Sequence, residues 1–162
     1  MGDDIDYSLV RDPDSGKAIY LATERLAHYQ GDNEFSVLAT VSGRELVGRR
    51  YTPVFDYFAE KSEEGAFVVI SGEYVTTDSG TGLVHQAPAF GEDDYKAFQA
   101  SGLEAFACPV TLQGEFTDEV PDFAGRHVKD ADKDIIAVLK ASDALYRQEV
   151  IQHSYPYCYR SD

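Results

Sequence analysis

Residues 7–22 read YSLVRDPDSGKAIYLA, which is two strand-like runs on either side of a loop rich in Asp, Pro and Gly. The runs Tyr7–Val10 and Ala18–Ala22 carry aromatic and β-branched residues, and the Asp12–Gly16 loop has the residue types that favour turns. We therefore expect an antiparallel hairpin here. It indicates that the first half of the chain is built from short strands.

Further short elements are predicted after the hairpin. Thr23 is placed to cap a helical turn that runs through Tyr29, and Phe35–Val41 is another alternating strand. Ser42, with Glu45 three residues later, fits a capping box for one turn of helix. Two more extended segments are expected, a buried strand at Phe67–Ile70 and a run at Gly72–Val75.

Two helices are predicted in the second half of the chain. Asp93–Gly102 has acids in its first turn and Gly at its end. A longer helix is expected from about Asp132 to Tyr146, with Asp130 or Asp132 as its cap. The balance is β-rich, so the residues favour an α+β domain built on a barrel or a strongly bent sheet. The 162 residues are enough for one such domain.

Composition excludes several classes of protein. The 14 Lys and Arg against 29 Asp and Glu give a net charge of −15, which opposes non-specific attraction to nucleic acid or an anionic membrane. No apolar run approaches the ~18 residues of a membrane span, and the first residues carry no secretion signal, so a cytosolic domain is expected. Cys108 and Cys158 are far apart and outside any CxxC motif, so we expect reduced, buried cysteines and neither a zinc site nor a disulfide framework.

The densest group of candidate functional residues is DSGTGLVHQAPAFGEDDY, residues 78–95. Gly80 and Gly82 indicate a tight turn, because the full Rossmann and Walker phosphate-binding patterns are absent. A strand that carries His85 and a helix start that carries Asp94 would meet at one end of a barrel, where pockets form. Taken alone, His85 also fits a structural histidine, and Asp94 an acid that stabilises a helix N-terminus.

The stretch Gly80–Asp94 strongly resembles the motif in the editing domain of isoleucyl-tRNA synthetase. Tyr51–Phe58 is similar to the segment that precedes this motif, and His153–Asp162 resembles the strand that returns to the catalytic domain, with Tyr159 where the family usually has Trp. The order and spacing agree over nearly the whole chain. The residues His85–Gly91 favour the isoleucyl enzyme over the valyl and leucyl enzymes, whose editing domains share the fold and an aspartate like Asp94.

This resemblance implies a closed six-stranded β-barrel decorated with short helices, inserted into a class I synthetase. It implies a proofreading activity that hydrolyses valine wrongly esterified to tRNA(Ile), in the cytoplasm. The implied partners are the tRNA(Ile) 3′ end carrying valine and the remaining domains of the parent synthetase. It implies no metal and no cofactor for editing, since ATP and magnesium belong to the synthetic domain.

The resemblance assigns roles to few side chains. Asp94 would bind the α-ammonium of the misattached valine, and His85 would hold the terminal ribose or position the attacking water. The loops on either side would shape the substrate-binding pocket through Gly80, Thr81, Gly82, Ala87, Pro88, Phe90 and Gly91.

Three alternatives stay open: a module that only docks tRNA or neighbouring synthetase domains, a freestanding hydrolase, and the editing domain of the valyl or leucyl enzyme. In the family, a Thr-rich segment that contacts substrate precedes the part that Asp4–Tyr7 resembles. This chain begins after it, so we expect residues 1–162 to be a single excised editing domain that folds but hydrolyses Val-tRNA poorly. Further candidate RNA contacts are Arg49, Arg50 and Lys96 on phosphates, and Tyr20, Tyr51, Tyr57 and Phe90 on the terminal base.

Overall fold

The computed structural model describes residues 1–149, which divide into a compact unit, Met1–Pro109, and a second unit that begins at Val110. The first unit contains β1 (Asp6–Arg11), β2 (Ala18–Ala22), a 3₁₀ turn (Thr23–Arg25), α1 (Leu26–Tyr29), β3 (Ser36–Ser42), α2 (Gly43–Leu46), a second 3₁₀ turn (Ala59–Ser62) and α3 (Glu92–Ser101). The second unit contains α4 (Val128–Ala141). Among the described residues, no helix has the length and apolar character needed to cross a membrane.

The strand β1 is the centre of a three-stranded antiparallel sheet in the order β2-β1-β3. Tyr7 pairs with Ala22 on one side and with Val41 on the other. The predicted hairpin is thus confirmed, as is the strand expected from the alternation of residues 35–41.

Successive side chains of a strand point to opposite faces of the sheet. In β1, Tyr7 and Val10 belong to two different core clusters. The two core clusters consist of Met1, Tyr7, Ala22 and Leu46, and of Val10, Leu21 and Tyr29. Tyr7 and Val10 are fully buried. Burial of each such side chain contributes about 1.5–3 kcal/mol. Among residues 1–149, the largest fully buried side chains lie in the sheet.

The predicted closed six-stranded barrel is wrong. The sheet of the described residues is open, with β2 and β3 as its edges. The predicted strand Phe67–Ile70 does not extend it, because Phe67 has a φ of 59°, outside the extended region of the backbone. Val68 consequently makes an isolated bridge with Arg50 and joins no sheet.

Two other predicted extended segments are also irregular. Gly72–Val75 contains a turn in which the Val75 N–H donates to the Gly72 carbonyl at 3.1 Å. The stretch Leu83–Ala87 has no regular secondary structure. More of the described residues lie in helices than in strands, so the predicted β-rich balance is wrong as well.

The short helices beside the sheet follow their sequence signals, with one exception. The backbone N–H of Ser42 donates to Glu45 Oε1 at 3.2 Å, which confirms the capping pair of α2. The helical turn after β2 forms as predicted, but its N-cap is Ala22 and Thr23 does not cap it. The Thr23 hydroxyl instead hydrogen-bonds Ser8 Oγ at 2.9 Å, because the sheet brings the two side chains together.

The two longer helices differ in how well their limits were predicted. α3 ends before Gly102, which has the expected left-handed conformation. α4 begins and ends earlier than expected, and neither Asp130 nor Asp132 caps it. Its cap is His127, whose Nδ1 accepts the Lys129 N–H at 3.3 Å. Histidine is outside the usual set of N-cap residues, so no residue pattern in this region predicted a helix start at His127.

The cysteines were expected to be buried. Cys108 is exposed, so that prediction is wrong for Cys108. Cys158 and the rest of the predicted exit strand, residues 153–162, lie outside the described residues.

Candidate functional site

The Gly80–Gly82 loop is fastened to the sheet through its backbone carbonyls. The Ala22 N–H, at the end of β2, donates to the Thr81 carbonyl at 2.8 Å. The buried Tyr7 hydroxyl, on β1, donates to the Gly82 carbonyl at 2.6 Å. The loop is therefore held by hydrogen bonds from β1 and β2 of the sheet.

The two glycines of this loop differ in how much space a side chain would have. Gly82 has a φ of +78°, and a Cβ there would lie 2.6 Å from the Cβ of Ala22. Gly80 also has a positive φ, +65°, but a Cβ there would meet open space. Its carbonyl accepts a hydrogen bond from Arg25 Nε at 2.9 Å. Of these two glycines, only Gly82 combines the left-handed conformation with a close approach.

His85 lies in the irregular stretch that follows this loop. Its side chain is exposed at the surface of a cavity, and Pro88 contributes to the same cavity. The chain then turns, with the Phe90 N–H donating to the Ala87 carbonyl at 2.9 Å. The Phe90 ring is 57% exposed.

The cavity has a volume of about 520 Å³, within the range of small-molecule sites. Its walls are mostly apolar, and the side chains that bring polar groups to it are Tyr51, Tyr74, His85 and Gln86. Phe67 also lines it, with the strained positive φ described above. Such a backbone conformation costs of order 1–3 kcal/mol in a non-glycine residue and is often found at functional sites.

Asp94 lies in the first turn of α3 and is half-buried. Tyr74 donates its hydroxyl proton to Asp94 Oδ1 at 3.1 Å, and the Ala87 N–H donates to Oδ2 at 3.2 Å. A Cβ at Gly91 would lie 2.9 Å from Oδ2. The absence of a side chain at position 91 thus leaves room for the carboxylate.

Most of the predicted site residues do not line the cavity: its walls do not include Gly80, Thr81, Gly82, Ala87, Phe90 or Gly91. His85 and Pro88 line the cavity directly. Asp94 does not line it, but is hydrogen-bonded to Tyr74, which does. None of the ion pairs found among residues 1–149 involves Asp94, so no cation there neutralises its charge.

Sequence reasoning missed Tyr74 and Gln86. Gln86 Nε2 donates to the Tyr74 hydroxyl at 2.6 Å, next to the contact with Asp94. Tyr74 lies in a segment predicted to be extended, and its partner Asp94 is twenty positions away. A local sequence pattern does not predict a contact between residues so far apart in the sequence.

The pKa of the Tyr74 phenol is raised above its ordinary value, first by burial. The hydrogen bond to Asp94 and the charges of Asp94 and Asp93 raise it further, while the hydrogen bond from Gln86 lowers it. Burial also raises the pKa of Tyr51. Tyrosines are ordinarily protonated at neutral pH, and the raised pKa values of these two phenols extend that state to higher pH.

The candidate phosphate contacts already have partners. Lys96 Nζ lies 2.7 Å from Glu92 Oε1, and this hydrogen bond raises the pKa of Lys96. Arg50 donates to the Ser62 carbonyl at 2.8 Å. These residues lie at the surface, and their contact with RNA stays a prediction.

The candidate stacking residues have different surroundings. Tyr20 packs against the first core cluster, and Tyr51 is edge-on to Phe67 in the cavity wall. Tyr57 stacks on Phe55, with ring centroids 5.5 Å apart. Their contact with a base, like that of Phe90, also stays a prediction.

Within residues 1–149 no group of three or more His, Cys, Asp or Glu side chains is arranged to hold a metal ion.

Comparison with known proteins identifies relatives along the whole chain, although no family model matches it. The isoleucine–tRNA ligase of Bdellovibrio bacteriovorus is 49% identical over 164 residues, an alignment that includes all of this chain and 15% of that protein. The cytoplasmic isoleucine–tRNA ligases of Schizosaccharomyces pombe and Mus musculus are 46% and 42% identical, each over 98% of this chain. The chain spans only about 13–16% of the length of these relatives.

Proposed function

The chain is homologous along its whole length to one segment of the isoleucine–tRNA ligases, and we propose that residues 1–162 are the editing domain of such an enzyme. The domain hydrolyses the ester of valine misattached to tRNA(Ile). Its partners in this proposal are the 3′ end of that tRNA and the remaining domains of the parent enzyme, in the cytoplasm. We assign no metal or cofactor to the hydrolysis.

The physical need for such a domain lies in the small difference between the two amino acids. One missing methylene in an apolar pocket discriminates by only about 1–3 kcal/mol, and the isoleucine enzyme is itself the established example of this limit, at about 150-fold. A second pocket that admits valine and excludes isoleucine by size removes the error.

Asp94 is the group proposed to receive the α-ammonium of the valyl ester. At about 4 Å a carboxylate and an ammonium attract by roughly 1 kcal/mol in water and by roughly 4 kcal/mol at an effective dielectric of 20. Asp94 is half-buried, and among residues 1–149 its carboxylate is engaged by hydrogen-bond donors and by no ion pair. Its charge is therefore available to a cationic ligand, and its fixed orientation favours one pose of that ligand.

His85 is proposed to hold the terminal ribose or to orient the attacking water. Its exposed imidazole lies in the cavity wall, where a ring nitrogen can form a hydrogen bond with water or a hydroxyl. Ala87, Pro88 and the Gly80–Gly82 loop are proposed to shape the pocket. The apolar walls suit the side chain of valine.

The observation that carries this proposal is the hydrogen bond from Tyr74 to Asp94. Tyr74 belongs to the wall of the cavity that His85 lines. The bond therefore keeps the Asp94 carboxylate next to an apolar cavity, and an aminoacyl ester needs both a partner for its ammonium and a place for its side chain.

The proposal can be tested in the Bdellovibrio bacteriovorus ligase with its homologous segment replaced by this chain, and in the 162-residue chain itself. Deacylation of valyl-tRNA(Ile) and of isoleucyl-tRNA(Ile) is measured for each. We expect the hybrid ligase to hydrolyse the valyl ester and little of the isoleucyl ester, and the isolated chain to hydrolyse the valyl ester poorly. Asp94→Asn should slow valyl hydrolysis at least about tenfold, since a charge-assisted contact is lost.

Asp93→Asn is the matched control, because it makes the same chemical change one residue away at an exposed position. It should leave hydrolysis unchanged. Aminoacylation by the hybrid enzyme shows that its other domains are intact. A hybrid that aminoacylates normally but does not deacylate valyl-tRNA(Ile), or deacylates it equally well with Asp94→Asn, would contradict the proposal and favour a docking module.

A further inference from the structure

Three hydrogen bonds converge on the Asp94 carboxylate and its neighbour Tyr74. Gln86 Nε2 lies 2.6 Å from the Tyr74 hydroxyl, and that hydroxyl lies 3.1 Å from Asp94 Oδ1. The Ala87 N–H lies 3.2 Å from Oδ2. The stretch at residues 86–87 thus contacts the carboxylate both directly and through Tyr74.

The donor and acceptor groups of these side chains determine which atom donates in each hydrogen bond. The amide nitrogen of Gln86 can only donate, so the Tyr74 oxygen is the acceptor of that bond. The single phenolic proton of Tyr74 then points to Asp94, which as a carboxylate can only accept. Gln86 therefore fixes the orientation of the Tyr74 hydroxyl, and Tyr74 in turn fixes one oxygen of Asp94.

Two donors on two oxygens define the plane of the carboxylate. Each ionised oxygen has about two acceptor positions, so the Tyr74 and Ala87 bonds leave one open on each oxygen. Gly91 leaves the space this orientation needs, since a Cβ there would approach Oδ2 to 2.9 Å. An incoming ammonium can thus be bound without breaking the bonds that hold the carboxylate.

We propose that Tyr74 is a positioning residue, which holds the Asp94 carboxylate in the orientation that receives the ammonium of the aminoacyl ester, and that Gln86 sets the direction of its proton. This inference rests on the proposed editing function and adds two residues to it. Tyr74 need not touch the reacting ester, because it acts through Asp94.

The raised pKa of the Tyr74 phenol is consistent with this role. Burial raises the pKa of the phenol, and the contact with Asp94 raises it further. A phenol that keeps its proton remains a donor to the carboxylate throughout the neutral range.

The kinetic test uses Tyr74→Phe in the hybrid ligase, with Tyr95→Phe as the matched control. Tyr95 follows Asp94 on α3 and is exposed, with its ring against Phe98. Tyr74→Phe should lower kcat/KM for valyl-tRNA(Ile) about tenfold, because a hydrogen bond to a charged group is lost. Tyr95→Phe should have no effect.

Combining the substitutions separates positioning from general support of the structure. In an Asp94→Asn background, Tyr74→Phe should change kcat/KM by less than about twofold, since the group it orients is already altered. Gln86→Leu should lower kcat/KM about threefold in the wild-type background, because the Tyr74 hydroxyl is then free to rotate. A tenfold loss that persists in the Asp94→Asn background would overturn the positioning role.

A second measurement needs no activity. The pKa of Tyr74, followed by NMR in the 162-residue chain with labelled tyrosine, should fall in Asp94→Asn and fall less in Asp93→Asn. An unchanged pKa in Asp94→Asn would overturn this inference even if valyl-tRNA(Ile) is hydrolysed. If the pKa falls but the wild-type hybrid does not hydrolyse the ester, the editing function itself is wrong, and the positioning role with it.

Discussion

The backbone of the sheet and the backbone of the site segment are held in place by different interactions. In the sheet, residues 6–42, a ladder of paired strands buries Tyr7 completely. In the site segment, residues 51–91, the regular structure is one short 3₁₀ turn, and Tyr74 is 37% exposed. Both tyrosines use their hydroxyls to join distant parts of the chain, Tyr7 to Gly82 and Tyr74 to Asp94. The site thus depends on a few long-range hydrogen bonds, the most buried of which starts in the sheet.

Replacing the two tyrosines tests this contrast with the largest expected effect. Tyr7→Ala should lower the free energy of unfolding by about 3–5 kcal/mol, because it empties a fully buried position and removes the anchor of the Gly82 loop. Tyr74→Ala should cost about 1 kcal/mol, since the side chain is partly exposed. Urea unfolding followed by circular dichroism measures both. Equal losses would mean that the two regions share one level of stability.

The glycines of the Gly80–Gly82 loop test where that loop meets the sheet. Gly82→Ala should destabilise the chain by about 2–4 kcal/mol, because it combines a left-handed φ with a 2.6 Å approach to Ala22. Gly80→Ala should cost only the backbone part, about 1–2 kcal/mol, since its Cβ would meet open space. Thermal or urea unfolding of the pair gives the difference. A Gly80 variant as unstable as the Gly82 variant would show that the loop is not held against β2.

Phe67 tests whether strain is stored in the site segment. Its φ of 59° predicts that Phe67→Gly is more stable than Phe67→Ala by about 1 kcal/mol, although both lose the same ring contacts. At an ordinary extended position the order of the two variants would be the reverse. Unfolding free energies of the two proteins give the sign, and a more stable alanine variant would show that the backbone there is relaxed.

Titration at high pH tests the buried tyrosine of the sheet and should give the smallest effect. Burial raises the pKa of Tyr7 above its ordinary value, and the hydrogen bond from the Gly2 N–H partly offsets this. A raised pKa contributes stability that is present below the unfolded-state value, about 10, and is lost as the pH rises through the folded-state value. The free energy of unfolding should therefore fall above about pH 10, and less steeply in Tyr7→Phe. Parallel pH profiles for the two proteins would rule out Tyr7 as a contributor.

Local signals predicted those elements whose causes lie within a few residues of each other. The alternation of residues 7–22 gave the hairpin, and Ser42 with Glu45 gave the start of α2. The prediction failed where a local signal was overruled by a distant contact, as at Thr23, whose hydroxyl bonds to Ser8 across the sheet instead of capping the helix. It failed again at Phe67, where an apolar run typical of a strand adopts a positive φ.

The candidate site was predicted in part for the same reason. The motif around His85 and Asp94 is continuous in sequence, so the resemblance selected its residues without any structure. Tyr74 lies outside this motif, and its role follows only from the hydrogen bond to Asp94. The predicted barrel end was wrong, and a cavity beside an open sheet takes its place.

The sequence by itself determined the hairpin, the α3 helix with Asp94 in its first turn, and kinship to one segment of the isoleucine–tRNA ligases. Only the tertiary structure decided that the sheet stays open, that Tyr7 anchors Gly82, and that Tyr74 orients Asp94. The physical reason is the distance along the chain over which each kind of interaction acts. Caps, turns and alternation act between neighbours in the chain, whereas packing and hydrogen bonding join side chains that the sequence keeps many residues apart.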